Sequence, residues 1–258
     1  MGKRIARAEA EERALEKDVL RRVYKVIGGV NLEALVYRPE GWRGEDRRAA
    51  VAYFHGGGWN IGSPLWGDDD CRHLAGLGLV AVSFDYRLIA AHGVTPVESM
   101  RDARSALRWL RMHAQELGID PERIAACGFS AGGHLAACTG GLKGFDEPGE
   151  DTSIRSTSDA LLLWSAPVRF EDEDSDPWFT RNVRGHADIH DCSPYDHLQK
   201  GQPPAILFQG ADDTLVCPRY ARDYAQRMKE LGNRCELHLY PGQWHLPWPR
   251  ALQKDVWA

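Results

Sequence analysis

What most restricts the fold of this chain is a recurring pair: a short, nearly uninterrupted apolar run followed by a segment with helical spacing. The runs are AAVAYF (Ala49 to Phe54), LVAVSFDY (Leu79 to Tyr86), RIAAC (Arg123 to Cys127), DALLLWSA (Asp159 to Ala166), PAILFQG (Pro204 to Gly210) and CELHLYPG (Cys235 to Gly242). AAVAYF, LVAVSFDY, DALLLWSA and PAILFQG lack the alternation of a half-exposed strand and suit strands covered on both faces, as in parallel sheets; RIAAC and CELHLYPG read as strands without that claim. Helical signals fall between them, around Cys71 to Leu77, in SMRDARSALRWLRMHAQELG ending on Gly118, in AGGHLAACTGG and in PRYARDYAQRMKELG. Strands alternating with helices predict an α/β fold, a mainly parallel sheet with helices on both faces. Two further β-like runs, Val23 to Ile27 and Leu32 to Tyr37, flank the turn signal Gly28-Gly29 and predict an antiparallel pair at one edge, giving eight strands. Residues 1–21 read as a charged N-terminal helix, with Ile5, Ala8, Leu15 and Val19 near one face.

A length of 258 residues suits one such domain, and no linker or internal repeat divides it, so 1–258 is read as a single domain. Two segments escape the pattern, Lys143 to Ser158 and Phe170 to Lys200; both are rich in Asp, Glu, Ser, Gly and Pro and are predicted as lid or insertion segments. The net charge of −5 gives no electrostatic case for nucleic acid or an anionic membrane as partner. No apolar run approaches the roughly 18–20 residues that span a bilayer. The N-terminus is charged throughout and has no apolar h-region, which predicts a cytoplasmic protein. Six scattered cysteines without a C-x-x-C pair predict free thiols, neither a disulfide framework nor a zinc site. HADIHDC sets His186 and His190 four apart beside carboxylates and Cys192, but without helical signals it is read as loop, and no metal is assigned.

The chemistry begins at GFSAGG (Gly128 to Gly133), between a strand and a helix of small residues. G-x-S-x-G in that setting places a serine on a strained, tight turn, with its Oγ held out at a helix N-terminus where amides stabilise developing negative charge. Ser130 is therefore the candidate nucleophile. It needs a base and a carboxylate to orient that base. ADDTLVCP offers Asp212 or Asp213 at the end of a strand, and adjacent residues point in different directions, so only one serves. YPGQWHLPW places His245 in the loop after the last strand. The triple glycine in VAYFHGGGW then has a purpose. An oxyanion hole needs amides aimed at one point, and a loop that brings backbone so close must lack side chains. Gly57 and Gly58 are the predicted donors with Ala131, and Gly56 allows the turn.

Taken together, HGGGW, GFSAGGHLA, SPYDHL…PPAILFQGADDTLV and YPGQWH resemble an α/β-hydrolase esterase over about residues 23–246, nearest to the BD-FAE-like and acetyl-esterase group related to the hormone-sensitive-lipase family. The resemblance implies that fold, an eight-stranded sheet with a small lid, and cofactor-free ester hydrolysis through a Ser-His-Asp triad and an acyl-enzyme. Its G-x-x-D-x-x-V pattern falls on Gly210, Asp213 and Val216, which carries the acid to Asp213. It also implies short acyl (acetyl) or feruloyl esters as substrates, small molecules or glycans, and a monomer or homodimer. Trp59, Trp66, Trp164, Trp178, Trp244 and Trp248 lie near the motifs; Trp59, Trp164 and Trp244 are taken as substrate platforms. The chain differs from the hormone-sensitive-lipase pattern at Phe129, where an acidic residue is usual, and at Gln209, where histidine is frequent. Trp244 and Leu246 flank His245 where glycines are usual, and PRALQKDVWA replaces a longer final helix. HGGGW also fits the HGGxW signature of kynurenine formamidases, making an arylformamidase the alternative enzyme. Catalytically silent small-molecule receptors share the fold but typically lose the histidine base, which His245 supplies here.

Overall fold

The structure, a computed structural model, describes residues 19–171 and 177–245. Eight strands form one sheet: β1 (Val19–Ile27), β2 (Val30–Tyr37), β3 (Arg48–Phe54), β4 (Val80–Phe84), β5 (Ile119–Phe129), β6 (Ala160–Trp164), β7 (Ala205–Gly210) and β8 (Cys235–Tyr240). Their spatial order is β1-β2-β4-β3-β5-β6-β7-β8. The β1–β2 and β2–β4 pairings are antiparallel and the others parallel, as expected from the apolar runs. The helices are α1 (Asp68–Gly76), α2 (Ile89–His92), α3 (Pro96–Met112), α4 (Ala131–Cys138), α5 (Pro177–Val183) and α6 (Pro218–Glu230).

Side chains alternate between two apolar layers. On one face Ala52, Phe54, Val82, Phe84 and Ile124 pack with Met100, Ala103, Leu107 and Leu110 of α3. On the other, Val51, Tyr53, Ala81 and Cys127 meet Cys71 and Leu74 of α1. Helix α3 starts where its sequence dictates: Thr95 and Glu98 form a reciprocal capping box and Pro96 occupies the first turn. Regular helix stops at Met112, and turns carry the chain on to Gly118, so the predicted helix is shorter than its spacing suggests. All six cysteines are free. Among the described residues no helix is long and apolar enough to cross a membrane.

Two expectations need correction. Residues 19–21, read as the end of an N-terminal helix, are strand: Val19, Leu20 and Arg21 pair with Tyr37, Val36 and Leu35, and Arg21 reaches Glu33 at 2.6 Å. Pairing with a distant strand overrides the local charge pattern; the rest of that helix, 1–18, lies outside the described residues. The dipeptide Asp120-Pro121 before RIAAC reads as a turn that precedes the strand, yet it is not a break between elements. It is a bulge inside β5, because the register against β3 jumps between Ile119 and Ile124. A bulge accommodates Pro121, which cannot donate to a ladder.

The 143–158 insertion is strapped to the body by charge. Lys25 Nζ lies 2.6 Å from Asp102 and 2.7 Å from Glu147, and Arg87 pairs with both carboxylates. Arg104 holds Asp146 at 2.9 Å, and Arg108 reaches Asp146 and, at 3.0 Å, Glu150. Lys25, Arg87, Asp102 and Glu147 are all buried. Burial alone would raise the Glu147 carboxyl, but the hydrogen bonds and charges of Lys25 and Arg87 outweigh it and hold it below its ordinary range.

Candidate active site

Ser130 stands between β5 and α4 with φ 54° and ψ −122°. Non-glycine residues rarely hold such dihedrals, and a strained residue of this kind costs about 1–3 kcal/mol. The neighbours impose it: Ser130 N–H donates to the Trp164 carbonyl at 2.8 Å, and the Ser130 carbonyl accepts from His134 N–H at 3.0 Å. The flanking glycines follow from contact distances. A Cβ on Gly128 would sit 2.2 Å from the Gly132 oxygen, and one on Gly132 would sit 2.0 Å from the Phe54 oxygen. Only hydrogen fits at either position, so the motif is a packing requirement of the bend.

Three distant segments meet at this bend. His245 Nε2 lies 2.9 Å from Ser130 Oγ, and His245 Nδ1 lies 2.8 Å from Asp213 Oδ2. With the carboxylate at Nδ1, that nitrogen carries the proton, and Nε2 is left to accept from the serine hydroxyl. His245 is 3% exposed and Asp213 4%. Asp213 Oδ1 accepts the Leu215 and Val216 amides at 2.9 Å each, and Oδ2 also accepts Gln209 Nε2 at 2.8 Å. Burial would raise its pKa, but the His245 hydrogen bond, the two amides and the His245 charge prevail and keep the carboxyl below its usual range. Asp212 faces solvent instead, its N–H donating to Gln243 O at 3.0 Å.

The glycine loop follows β3, which pairs with β5 up to Phe54 opposite Gly128, so loop and bend are neighbours on the sheet. In a trans peptide the C=O and N–H point in opposite directions. The Gly56 carbonyl is held by His55 Nδ1 at 2.6 Å, which turns the Gly57 amide the other way. The Gly57 carbonyl accepts Asn60 and Ile61 amides at 3.1 Å each, which does the same for the Gly58 amide. Gly57 has φ 120°, and a Cβ there would sit 1.9 Å from the Ile61 oxygen. Burial lowers the His55 pKa to about 4, so the ring that holds this loop is neutral at physiological pH. Among the described residues no acceptor takes the amides of Gly57 or Gly58. Ala131 opens α4, where an amide has no intrahelical partner. The three predicted donors therefore lie at the same end of the sheet as Ser130.

The three chosen tryptophans part company. Trp59 is 3% exposed and is packed against Phe179 and His134, ring centroids 4.7 and 5.3 Å away, so it presents no open platform. Trp164 ends β6, where its carbonyl serves Ser130 and its ring stands 6.2 Å from Phe208. Trp244 is 49% exposed beside His245, and its indole N–H donates to Thr214 Oγ1 at 2.7 Å. Two participants have no role in the sequence reading. Gln209 appears there only as a departure from histidine, yet its amide braces the Asp213 carboxylate and the Val216 carbonyl, the latter at 3.2 Å. Trp178 donates to the Gly58 carbonyl at 3.0 Å from a segment 120 positions away, a contact no local pattern encodes. His190 of HADIHDC pairs with Asp196 at 3.1 Å, and among the described residues no group of three His, Cys, Asp or Glu side chains could hold a metal ion.

A profile of the alpha/beta hydrolase fold matches residues 51–248. The chain is 31% identical over 250 residues to carboxylesterase NlhH of Mycobacterium tuberculosis, covering 84% of this chain and 72% of that one. It is 27% identical over 217 residues to the probable isoprenylcysteine alpha-carbonyl methylesterase ICMEL1 of Arabidopsis thaliana, covering 77% of this chain but only 45% of the relative. Among solved structures, apo esterase 2 of Thermogutta terrifontis superposes with a TM-score of 0.87 at 38% identity, over 93% of this chain and 91% of that one. The same esterase is described as bound to propionate and to butyrate and as phosphonylated by sarin.

Proposed function

The chain belongs to the alpha/beta hydrolase fold family, and on that premise we propose that it is a serine carboxylesterase. The reading rests on the relay from Ser130 Oγ to His245 Nε2 at 2.9 Å and from His245 Nδ1 to Asp213 at 2.8 Å. In the mechanism Ser130 Oγ attacks the ester carbonyl carbon as His245 takes the hydroxyl proton. The carbonyl oxygen, now negative, is received by the amides of Ala131, Gly57 and Gly58. Collapse of the tetrahedral species expels the alcohol, which leaves with the proton from His245, and Ser130 is acylated. Water then attacks the acyl-enzyme with His245 again as base, releasing the acid. Asp213 remains ionised throughout, which its lowered pKa favours, and stabilises the imidazolium that forms twice per cycle.

Short acyl groups, acetyl first, are the proposed substrates, with feruloyl esters and esters of carbohydrates in the same reading. The similarity to an esterase bound to propionate and butyrate supports small acyl groups, and the exposed Trp244 ring beside His245 offers a flat face to a sugar or aryl group. A series of p-nitrophenyl esters from acetate to decanoate, with methyl ferulate and acetylated xylan, tests this. The expected result is highest kcat/KM at two to four carbons, abolished by Ser130→Ala. A maximum at the long-chain end would remove the short-acyl reading, and preferential turnover of N-formylkynurenine would move the enzyme to the arylformamidases.

A further inference from the structure

Gly58 and Trp59 both have positive φ, 61° and 56°, and they are bridged by the Asn60 amide donating to the Gly57 carbonyl at 3.1 Å. Positive φ at both central positions is the pattern of a type I′ turn. For a glycine followed by a bulky residue this is the less favourable choice. Rotating the central peptide gives a type II′ turn, which asks positive φ only of its first central residue. Glycine meets that demand freely, and Trp59 would return to negative φ. Something must therefore hold the central peptide against this rotation.

That peptide joins Gly58 to Trp59, and its carbonyl is the one that accepts Trp178 Nε1 at 3.0 Å. The next residue of the same helix, Phe179, packs against the Trp59 ring at 4.7 Å and stacks on Phe170 at 4.3 Å with an interplanar angle of 8°. Helix α5 thus grips the turn twice, Trp178 by its carbonyl and Phe179 by its ring. On the far side the Trp59 carbonyl accepts the Ile89 amide at 2.9 Å. The geometry points to Trp178 as a positioning residue for the oxyanion loop: its indole N–H locks the Gly58–Trp59 peptide in the type I′ state and so holds in one conformation the turn whose first central residue supplies the Gly58 amide.

This rests on the esterase reading above and deepens it. An oxyanion hole stabilises charge because its dipoles are fixed before the reaction begins. A turn free to exchange between two peptide orientations would have to reorder during each turnover. The cost would appear where the oxyanion exists, in kcat, and not in ground-state binding.

Trp178→Phe keeps a ring and removes the donor, and because Trp178 is 44% exposed the change takes nothing from the core. Trp178→Ala removes both. The measurements are kcat and KM for p-nitrophenyl acetate, the pH profile, and the inhibition constant of phenylboronic acid, whose serine adduct places a negative oxygen in the hole. Trp178→Phe should lower kcat about tenfold, less than the 10²–10³ lost when a donor is removed outright. KM and the pH profile should stay put while boronate affinity weakens by a matching factor. A Phe variant within twofold of wild type in kcat and boronate affinity overturns the inference, as does a rise in KM alone, which would make the ring a substrate contact. A loss in Trp178→Ala with none in Trp178→Phe overturns it too, reducing the residue to packing. Wild-type protein without Ser130-dependent turnover would instead sink the esterase reading, and this inference with it.

Discussion

Two buried polar constellations stand in this molecule, and they are organised in opposite ways. Around Lys25, Arg87, Asp102 and Glu147, cations and carboxylates are interleaved so that each charge meets an opposite one. At the end of the sheet, Ser130, His245 and Asp213 form a chain with direction, carboxylate to imidazole to hydroxyl, ending beside amides that take no acceptor among the described residues. The first set is complete without a guest and ties the 143–158 insertion to α3. The second is complete only when an oxygen arrives. Buried charge by itself thus says little about function; an open valence at the end of an ordered chain says more.

The deepest test of that contrast is Ser130→Ala, which should lower p-nitrophenyl acetate turnover by more than about 10⁴-fold with an unchanged far-ultraviolet circular dichroism spectrum. Asp213→Asn should follow at about 10⁴-fold, since it leaves the imidazole in the wrong tautomer. Asp212→Asn should remain within twofold of wild type, and an equal loss in both would mean that strand-end geometry does not select the acid. Gly57→Ala drives a methyl into the Ile61 carbonyl and should cost about 10²–10³ in kcat.

Lys25→Met belongs to the other constellation. It leaves Asp102 and Glu147 with the Arg87 guanidinium but without the Lys25 ammonium, and should lower unfolding free energy in urea by about 3–5 kcal/mol, with kcat per folded molecule unchanged. A kcat loss as deep as that of Asp213→Asn would erase the distinction between the two regions. The mildest test is acid. Glu147 has a folded pKa below its ordinary value, so its contribution is present at neutral pH and is lost as pH falls through the ordinary glutamate range to the folded value. The melting temperature of wild type should drop more steeply there than that of Glu147→Gln; parallel curves would show the cluster to be indifferent to this charge.

Much of the active end was legible because its constraints are local. Gly128 is a glycine because of Gly132 four residues on, whereas Gly132 answers to the Phe54 carbonyl of the adjacent strand; both stand in one short motif, and the run HGGG announces a backbone that must come close to something. Asp212 and Asp213 are chemically identical neighbours, so neither residue type nor strand-end position separates them; the choice of Asp213 comes only with the resemblance, whose G-x-x-D-x-x-V pattern falls on Gly210, Asp213 and Val216. The start of β1 is not legible in the sequence, since only its register against β2, where Val19 and Leu20 meet Tyr37 and Val36, makes Val19–Arg21 extended. Trp178, Gln209 and the Lys25 cluster stayed silent for the same reason. Their partners are brought to them by the folded sheet, and no spacing rule along the chain anticipates an indole meeting a carbonyl 120 positions away.

Because β3 and β5 are adjacent rungs, with Phe54 opposite Gly128, the gap between the attacking oxygen and the Gly57–Gly58 cradle is gauged by main-chain pairing. Side chains and insertions around the mouth can be exchanged without recalibrating that gap as long as Trp178 keeps its bond to the Gly58 carbonyl. A segment grafted in place of 170–200 that kept Trp178 and Phe179 would then change which esters gain entry, while the intrinsic rate of acyl transfer from any ester that still fits stays fixed by the sheet and by that hold on Gly58.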